Sequence, residues 1–370
     1  MKKNSSLVLG VESSCDDTAA SILRYTRNDT GDYTEILSSI VMNQNNLHQS
    51  FRGVVPEIAA RAHSERLDTC TEIALTEAGI IIDDVDLISV TSGPGLIGGL
   101  LSGIMFAKGL AHGLGVPLIG VNHLAAHCLS VKMVHSIDFP YLTLLASGGH
   151  CQFLIVEDID IFSRLGGTID DAPGECFDKI AGFLGLGYPG GPHIENRARN
   201  GDGNRFSFPK PMIERKSCNL SFSGIKTAVK RKTEEIIEKK GGLFSSDIDD
   251  ICASFQKSAM AVFKKKSELA MEIFNKKYGF PVSNYSIVGG VAANKEINSV
   301  LKQTASEKNF NFWSVPLKFC TDNAAMIAYL GSKKFFSGDY KEEDLIPKPR
   351  WPLDLKAKPM LGFGKRGVKA

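Results

Sequence analysis

No two of the eight cysteines form a CxxC pair. They are scattered at positions 15, 70, 128, 151, 176, 218, 252 and 320, and a chain this long needs no disulfide scaffold, so the pattern indicates reduced thiols in a cytosolic setting. A secretory leader is not expected either. The start, MKKNSSLVLGVESS, is basic, but its apolar run is too short for a signal peptide. The longest apolar stretch, residues 95–107, falls short of the roughly 20 residues of a membrane span. It contains several glycines and leads into Lys108, so a buried helix is expected there and no membrane partner. Neither charge sign dominates: 43 Lys and Arg face 41 Asp and Glu, a net charge of +2, which by itself announces no nucleic-acid partner.

Two catalytic signatures are also missing. No glycine turn that follows a strand is succeeded by GKS or GKT. The pair His123 and His127 has Leu124, not Glu, beside its first member. The general base of the HExxH zinc proteases is therefore lacking, which argues against a metalloprotease.

What remains is ordinary globular material, 43% hydrophobic and 23% charged over 370 residues, enough for two domains with sizeable cores. Apolar runs at 7–11, 19–25 and 85–90 predict strands, residues 57–80 have helical periodicity, and TSGPGLIGG opens a helix to Leu114. A strand at 116–121 ends at Asn122 and a helix follows. Spaced by four, His123 and His127 leave one face of that helix a turn apart, as two ligands to one metal would.

Near Phe139 the pattern restarts: a strand at 140–146, the tight turn SGGH, a strand at 151–157. This mirrors the first hairpin, in which ESSCDDT joins two strands, and suggests an internal duplication. The expected class is therefore α/β. The expected division is an N-terminal domain over 1–138 carrying the histidine pair, a nucleotide-binding domain over 139–320, a final helix within 321–346 returning to the first domain, and a basic tail over 347–370, Pro- and Lys-rich and poorly packed. Residues 165–193, rich in Gly and acids, are expected to wrap a ligand or make an inter-domain turn. Two helices are expected between about 246 and 278, then a strand at 285–288.

Gly98-Gly99, Gly148-Gly149 and Gly289-Gly290 each follow a strand. Glycine lets the backbone approach a ligand, so N–H groups can cradle phosphate; three such turns in series favour a nucleotide. Asn294 either caps the next helix or meets an adenine edge. Asp322 either caps the last helix or completes a His₂Asp metal site suited to iron or zinc, with magnesium possible through phosphate oxygens. Asp178 is either a solvated helix acid or a ribose acceptor. Glu12, Asp16 and Asp17 cluster at the first hairpin tip as a general base, as outer ligands or as a solvated loop. Basic residues gather at Lys210, Arg215, Lys216, Lys226, Lys230, Arg231 and Lys232 and again in the tail, a pattern that supports RNA binding weakly.

The motifs VLGVESSCDDTAASI, RGVVPEIAARAH, GPGLIGGLLSGIMFAKGLA, NHLAAH, LLASGGHCQF, GTIDDAPGECFDKIAGFLGLGYPGGP, SFSGIKTAV, VGGVAAN and TDNAAMIA occur in that order. Together they resemble the tRNA adenosine threonylcarbamoyltransferase family of the TsaD type, once labelled O-sialoglycoprotein endopeptidase, over residues 7–331. CDDT stands where many members have CDET. The resemblance implies the ASKHA (actin/hexokinase/Hsp70-like) fold, two duplicated α/β domains around a nucleotide cleft. It implies a metal, iron in many members and zinc or magnesium in others, on His123, His127 and Asp322. It implies that Leu145, Ala146, Ser147, Gly148 and Gly149 contact the phosphate or acyl part of threonylcarbamoyl-AMP, that Asp178 takes the ribose with Gly191 and Glu195 at the nucleoside, and that Asn294 meets the adenine. The implied acceptor is N6 of adenosine 37 in tRNAs reading ANN codons, and the implied partners are a TsaB-like paralogue and a TsaE-like ATPase in the cytoplasm. Asp16 or Asp17 is the candidate base. A non-catalytic paralogue would lack the histidine pair; a sugar-kinase-like ATPase would share the fold.

Overall fold

The computed structural model describes residues 5–28, 31–51, 53–338, 340 and 345–359. The chain forms two compact units. One comprises the chain up to Ser136 together with Thr321–Leu353; the other comprises Ile137–Cys320 and the stretch from Asp354.

The first unit is built on a sheet of β1 (Ser5–Glu12), β2 (Asp17–Asn28), β3 (Gly31–Asn43), β4 (Leu87–Gly93) and β5 (Leu118–Asn122), in the order β3-β2-β1-β4-β5. The first three strands are antiparallel, and β1, β4 and β5 run parallel. The short helix α1 (Asn45–His48) precedes α2 (Pro56–Ala78) and α3 (Ile97–Leu114), which pack together. Both long helices end on a glycine in the left-handed region, Gly79 at φ 67° and Gly115 at φ 68°, the usual cost-free stop. Helix α4 (His123–Val134) follows β5 directly.

The second unit repeats this plan. Strands β6 (Tyr141–Ala146), β7 (Cys151–Asp158), β8 (Ile161–Gly167), β9 (Ser283–Val288) and β10 (Phe310–Ser314) lie in the order β10-β9-β6-β7-β8. Read from the other edge this is the same arrangement, with β6, β7 and β8 antiparallel and β6, β9 and β10 parallel. Its helices are α5 (Pro173–Phe183), α6 (Gly190–Ala198), α7 (Ser223–Lys240), α8 (Ser245–Tyr278) and α9 (Lys295–Glu307). The repeated topology is the duplicated α/β architecture of the ASKHA fold.

The last helix, α10 (Ala324–Ser337), belongs to the first unit and packs on β1, β2 and β4. Two glycines allow this. A Cβ on Gly10 would lie 2.1 Å from the Ala324 carbonyl, and one on Gly331 would lie 2.1 Å from Ser89 Oγ. Ser89 Oγ also donates to the Ile327 carbonyl at 2.8 Å. The segment that brings Asp322 to the first unit is thus set by backbone-to-backbone packing.

Several sequence expectations are corrected. Strands β3 and β8 are edge strands that had not been expected. Edges tolerate polar, half-exposed residues, so their hydrophobic signal is weak. Residues 245–278 form one 34-residue helix, not two; no Gly or Pro interrupts it. Residues 165–193 contain the end of β8, all of α5 and the start of α6. The apolar stretch after Gly95 lies in α3, a helix long and apolar enough to cross a membrane, which buries the face bearing Leu100, Ile104, Ala107 and Ala111. The tail is packed where described. Leu345 joins the first unit's core at 5% exposure, Lys348 N donates to the Ser92 carbonyl at 2.7 Å, and Lys348 Nζ lies 4.4 Å from the Trp351 ring centre. Prolines restrict such a segment before it docks, which lowers the entropy cost of ordering it. Lys365, Arg366 and Lys369 lie outside the described residues.

Candidate functional site

In the first unit, Asn122 begins the site. Its side-chain oxygen accepts from Leu124 N at 2.9 Å and Ala125 N at 3.1 Å, capping α4. The cap fixes where the first helical turn starts and therefore where His123 and His127 point. Both rings are buried, edge-on to each other with centres 4.7 Å apart. Asp322 lies two residues before α10, and Asn323 takes the capping role that the sequence left open for Asp322, accepting from Met326 N at 3.1 Å.

Asp322 Oδ1 sits 3.0 Å from His127 Nε2 and 3.4 Å from His123 Nε2. The three side chains each offer a ligand atom within 4.8 Å of the others. Donors at about 2.0–2.2 Å from one ion lie roughly 3.0–3.5 Å from each other, so this set fits a divalent metal held by two imidazoles and a carboxylate. Behind it, His123 Nδ1 is 2.9 Å from Glu12 Oε2, and Thr91 Oγ1 donates to the same oxygen at 2.5 Å. A carboxylate on the second nitrogen of a ligand histidine fixes its tautomer and ring plane. His127 Nδ1 is buried and finds no hydrogen-bond partner among the described residues.

Charge is concentrated here. Burial opposes a charge on His123, but the Glu12 and Asp322 carboxylates outweigh it and hold the imidazole well above its usual pKa. Burial pushes Asp322 up, and His123 pulls it well below the carboxylate range. Burial keeps His127 neutral, its pKa lowered. Asp17 goes the other way. Burial, then the negative charges of Asp322, Asp16 and Glu12, push it up to about 8. Asp17 therefore feels the charge of Asp322, and Glu12, 2.9 Å from His123 Nδ1, is a buried partner of that ring.

The turn after β4 is closely packed. A Cβ on Gly95 would meet the Ser14 carbonyl at 2.6 Å, one on Gly98 would meet Ala60 Cβ at 2.7 Å, and one on Gly99 would meet the Ser13 carbonyl at 2.3 Å. These glycines receive the first hairpin turn. Ser13 Oγ donates to the Gly99 carbonyl at 2.9 Å, Leu96 N to the Ser14 carbonyl at 2.8 Å, and His63 Nε2 lies 3.1 Å from the Cys15 carbonyl. At Gly98-Gly99 the space on the side-chain face is filled by Ala60 and by the Ser13 carbonyl of the acid-bearing turn.

In the second unit, β6 ends in Leu145 and Ala146, both buried, and the turn through Ser147, Gly148 and Gly149 follows. Nothing lies within 4 Å of a Cβ built on Gly148, Gly149 or Gly290. Gly148 is backed by α5: Glu175 N donates to its carbonyl at 3.1 Å, and a Cβ on Gly174 would lie 2.6 Å from its Cα. Gly289, at φ 92°, abuts the Ala146 carbonyl. Asp178 on α5 accepts from Gly190 N at 2.7 Å, fixing the start of α6, which carries the half-buried Gly191. Glu195 accepts from Lys295 N at 3.0 Å. Asn294 caps α9 through Ile297 N at 3.0 Å, and one of its amide hydrogens goes to Gln256 at 2.9 Å. Residues that sequence reasoning passed over are Thr91, Ser14 and Gln256; only their contacts mark them.

The family model described as tRNA N6-adenosine threonylcarbamoyltransferase matches residues 35–329. The chain belongs to this family. A tRNA N6-adenosine threonylcarbamoyltransferase of Ruegeria pomeroyi is 52% identical over 364 residues, 98% of each chain, and one of Cereibacter sphaeroides is 53% identical over 362 residues, again 98% of each. Among solved structures, full-length HypF in a phosphate- and nucleotide-bound form aligns with a TM-score of 0.54 at 15% identity, covering 92% of this chain and 48% of that one; this similarity speaks for the fold alone. Membership in the threonylcarbamoyltransferase family makes the protein a transferase acting in tRNA modification, and the His123–His127–Asp322 set gives this member a place for a divalent metal.

Proposed function

We propose that the protein transfers the threonylcarbamoyl group of threonylcarbamoyl-AMP to N6 of adenosine 37 in tRNAs reading ANN codons, forming t6A and releasing AMP. The observation that carries this reading is the convergence of His123 Nε2, His127 Nε2 and Asp322 Oδ1, with Glu12 holding His123 from behind. A divalent ion on these three, iron(II) in this reading with zinc or magnesium as alternatives, supplies positive charge against the leaving phosphate.

The chemistry forms the bond from N6 to the carbamoyl carbon and breaks the bond from that carbon to the phosphate oxygen. AMP leaves with the electron pair, and N6 loses a proton. An exocyclic amine is a poor nucleophile, so positioning supplies much of the rate. Asp17, pushed up to about 8, lies in the range suited to taking that proton near neutrality, and Asp16 is its alternate on the same turn. The open turn Leu145, Ala146, Ser147, Gly148 and Gly149 offers backbone N–H groups to the phosphate or acyl oxygens. Asp178 is assigned to the ribose, Gly191 and Glu195 to the nucleoside, and Asn294 to the adenine through its remaining amide hydrogen. Exposed Lys210, Arg215 and Lys216 suit a phosphate backbone.

An apolar stripe on α3, Ile97, Leu101 and Met105 at 51%, 43% and 62% exposure, supports a protein partner on that face; a TsaB-like paralogue is the occupant in this reading, with a TsaE-like ATPase completing a cytoplasmic assembly. Nucleoside mass spectrometry of tRNA incubated with threonylcarbamoyl-AMP and these partners tests the function. Wild type should form t6A, and His123→Ala or Asp322→Ala should abolish it with the circular dichroism spectrum unchanged. Normal transfer by either variant would remove the metal from the mechanism.

A further inference from the structure

The segment from Leu345 to Trp351 crosses the ends of β4 and β5, the second of which leads into α4 and its histidines. Leu345 is anchored in the first unit's core, and a Cβ on Gly120 of β5 would lie 2.4 Å from Leu345 Cδ1. Lys348 N donates to the Ser92 carbonyl at 2.7 Å, and Gly95 N to the Pro349 carbonyl at 3.3 Å. Gly93, at φ +149°, leaves room for the Lys348 carbonyl, which a Cβ there would approach to 1.9 Å. The segment ends on Asn122: its Nδ2 donates to the Trp351 carbonyl at 3.0 Å.

Asn122 thus works with both ends of its amide. The oxygen caps α4 through Leu124 N and Ala125 N, and the nitrogen is held by the strap. A serine or aspartate cap would serve the helix as well, but serine is too short to hold the strap as well. An amide that bridges the two fixes the azimuth of the first turn of α4, and that turn carries His123.

We propose that residues 345–351 are a strap that positions the metal-ligand helix through Asn122, so that this C-terminal segment tunes metal affinity without touching the metal. The inference rests on the reading of His123, His127 and Asp322 as ligands. Asn122 and Leu345 are positioning residues in this scheme. Groups that orient ligands from outside typically contribute 10–100-fold in metal affinity.

The test titrates the full-length chain with Zn²⁺ against a chromophoric chelator and with Co²⁺ by visible spectroscopy, whose bands report coordination geometry. Asn122→Ser keeps the cap and loses the strap; it should bind Zn²⁺ about tenfold more weakly and change the Co²⁺ bands, with its melting temperature near that of wild type. Leu345→Ala loosens the strap far from any ligand and should act in the same direction. The double variant should fall short of the product of the single effects, because both break one connection. Should Leu345→Ala fail to fold, Asn122→Ser decides alone. Wild-type affinity and bands in Asn122→Ser overturn the strap. A wild-type chain that takes up neither ion overturns the metal reading itself, and the strap with it.

Discussion

Two hairpin turns occupy equivalent places in the duplicated units. One, Ser13–Asp16, joins β1 to β2; the other, Ser147–His150, joins β6 to β7. They solve opposite problems. The first carries side chains with oxygen and sulfur atoms, and its backbone is received by glycines elsewhere: Gly95, Gly99 and Gly103 each lack the Cβ that would strike Ser13 or Ser14. The second contains the glycines itself, and its Gly148 and Gly149 face open space. Glycine beside a turn buries it, while glycine within a turn bares its backbone. One fold, used twice, yields a charged, dry corner in one unit and a bare backbone edge in the other.

The sharpest way to break this comparison is Gly99→Ala. The new Cβ would sit 2.3 Å from the Ser13 carbonyl and 3.2 Å from the His63 ring, backbone and buried ring that cannot step aside. Urea denaturation should show a loss of about 3 kcal/mol; a variant as stable as wild type would mean that the first turn is not packed.

A second way is to remove the carboxyl of Asp17, which opens β2 beside the first turn. Asp17 has an ordinary value of 3.8 and is pushed up to about 8 by burial and then by its acidic neighbours. A carboxyl raised on folding gives its full stability below about 4, and that stability is lost as pH rises through 8. Asp17→Asn should therefore raise the melting temperature of the metal-free protein at pH 8, and the gain should vanish toward pH 4. Parallel melting curves across that window would defeat the assignment. No acid stands in the second turn to produce such a slope.

Least of all should Gly148→Ala affect folding. With nothing within 4 Å of the added methyl, unfolding free energy should stay within about 0.5 kcal/mol of wild type. Transfer should nonetheless drop about tenfold or more, because the methyl intrudes where the acyl-adenylate is placed and small misplacements are expensive. Unchanged kinetics would show that the open edge is not the substrate's seat.

The legible parts of the site were those decided within one turn of helix or one strand. The spacing of His123 and His127 was sufficient to put both on one face, and Asn122 stood where a cap belongs. Less legible was the use of glycine. The sequences GPGLIGG and ASGGH both look like phosphate loops, and only the neighbours tell them apart: Ser13, Ser14 and Ala60 fill the space at the first, while the second stays open. The edge strands β3 and β8 escaped because half-exposed residues blur the alternation on which a strand is recognised. The tail was misjudged from its prolines and lysines, since what orders it is a set of backbone hydrogen bonds to Ser92, Gly95 and Asn122 that composition does not encode.

By itself, the sequence determined the α/β class, the repeat that begins near Phe139, the family and the histidine pair, because each depends on local periodicity or on motifs read in order. Tertiary structure alone decided that Asp322, 195 residues beyond His127, reaches it at 3.0 Å, that Glu12 stands behind His123, and that Asp17 is pushed up to about 8. Those outcomes depend on the seating of α10 against Gly10 and on the charges it carries into a buried corner, and neither distance along the chain nor residue type contains that information.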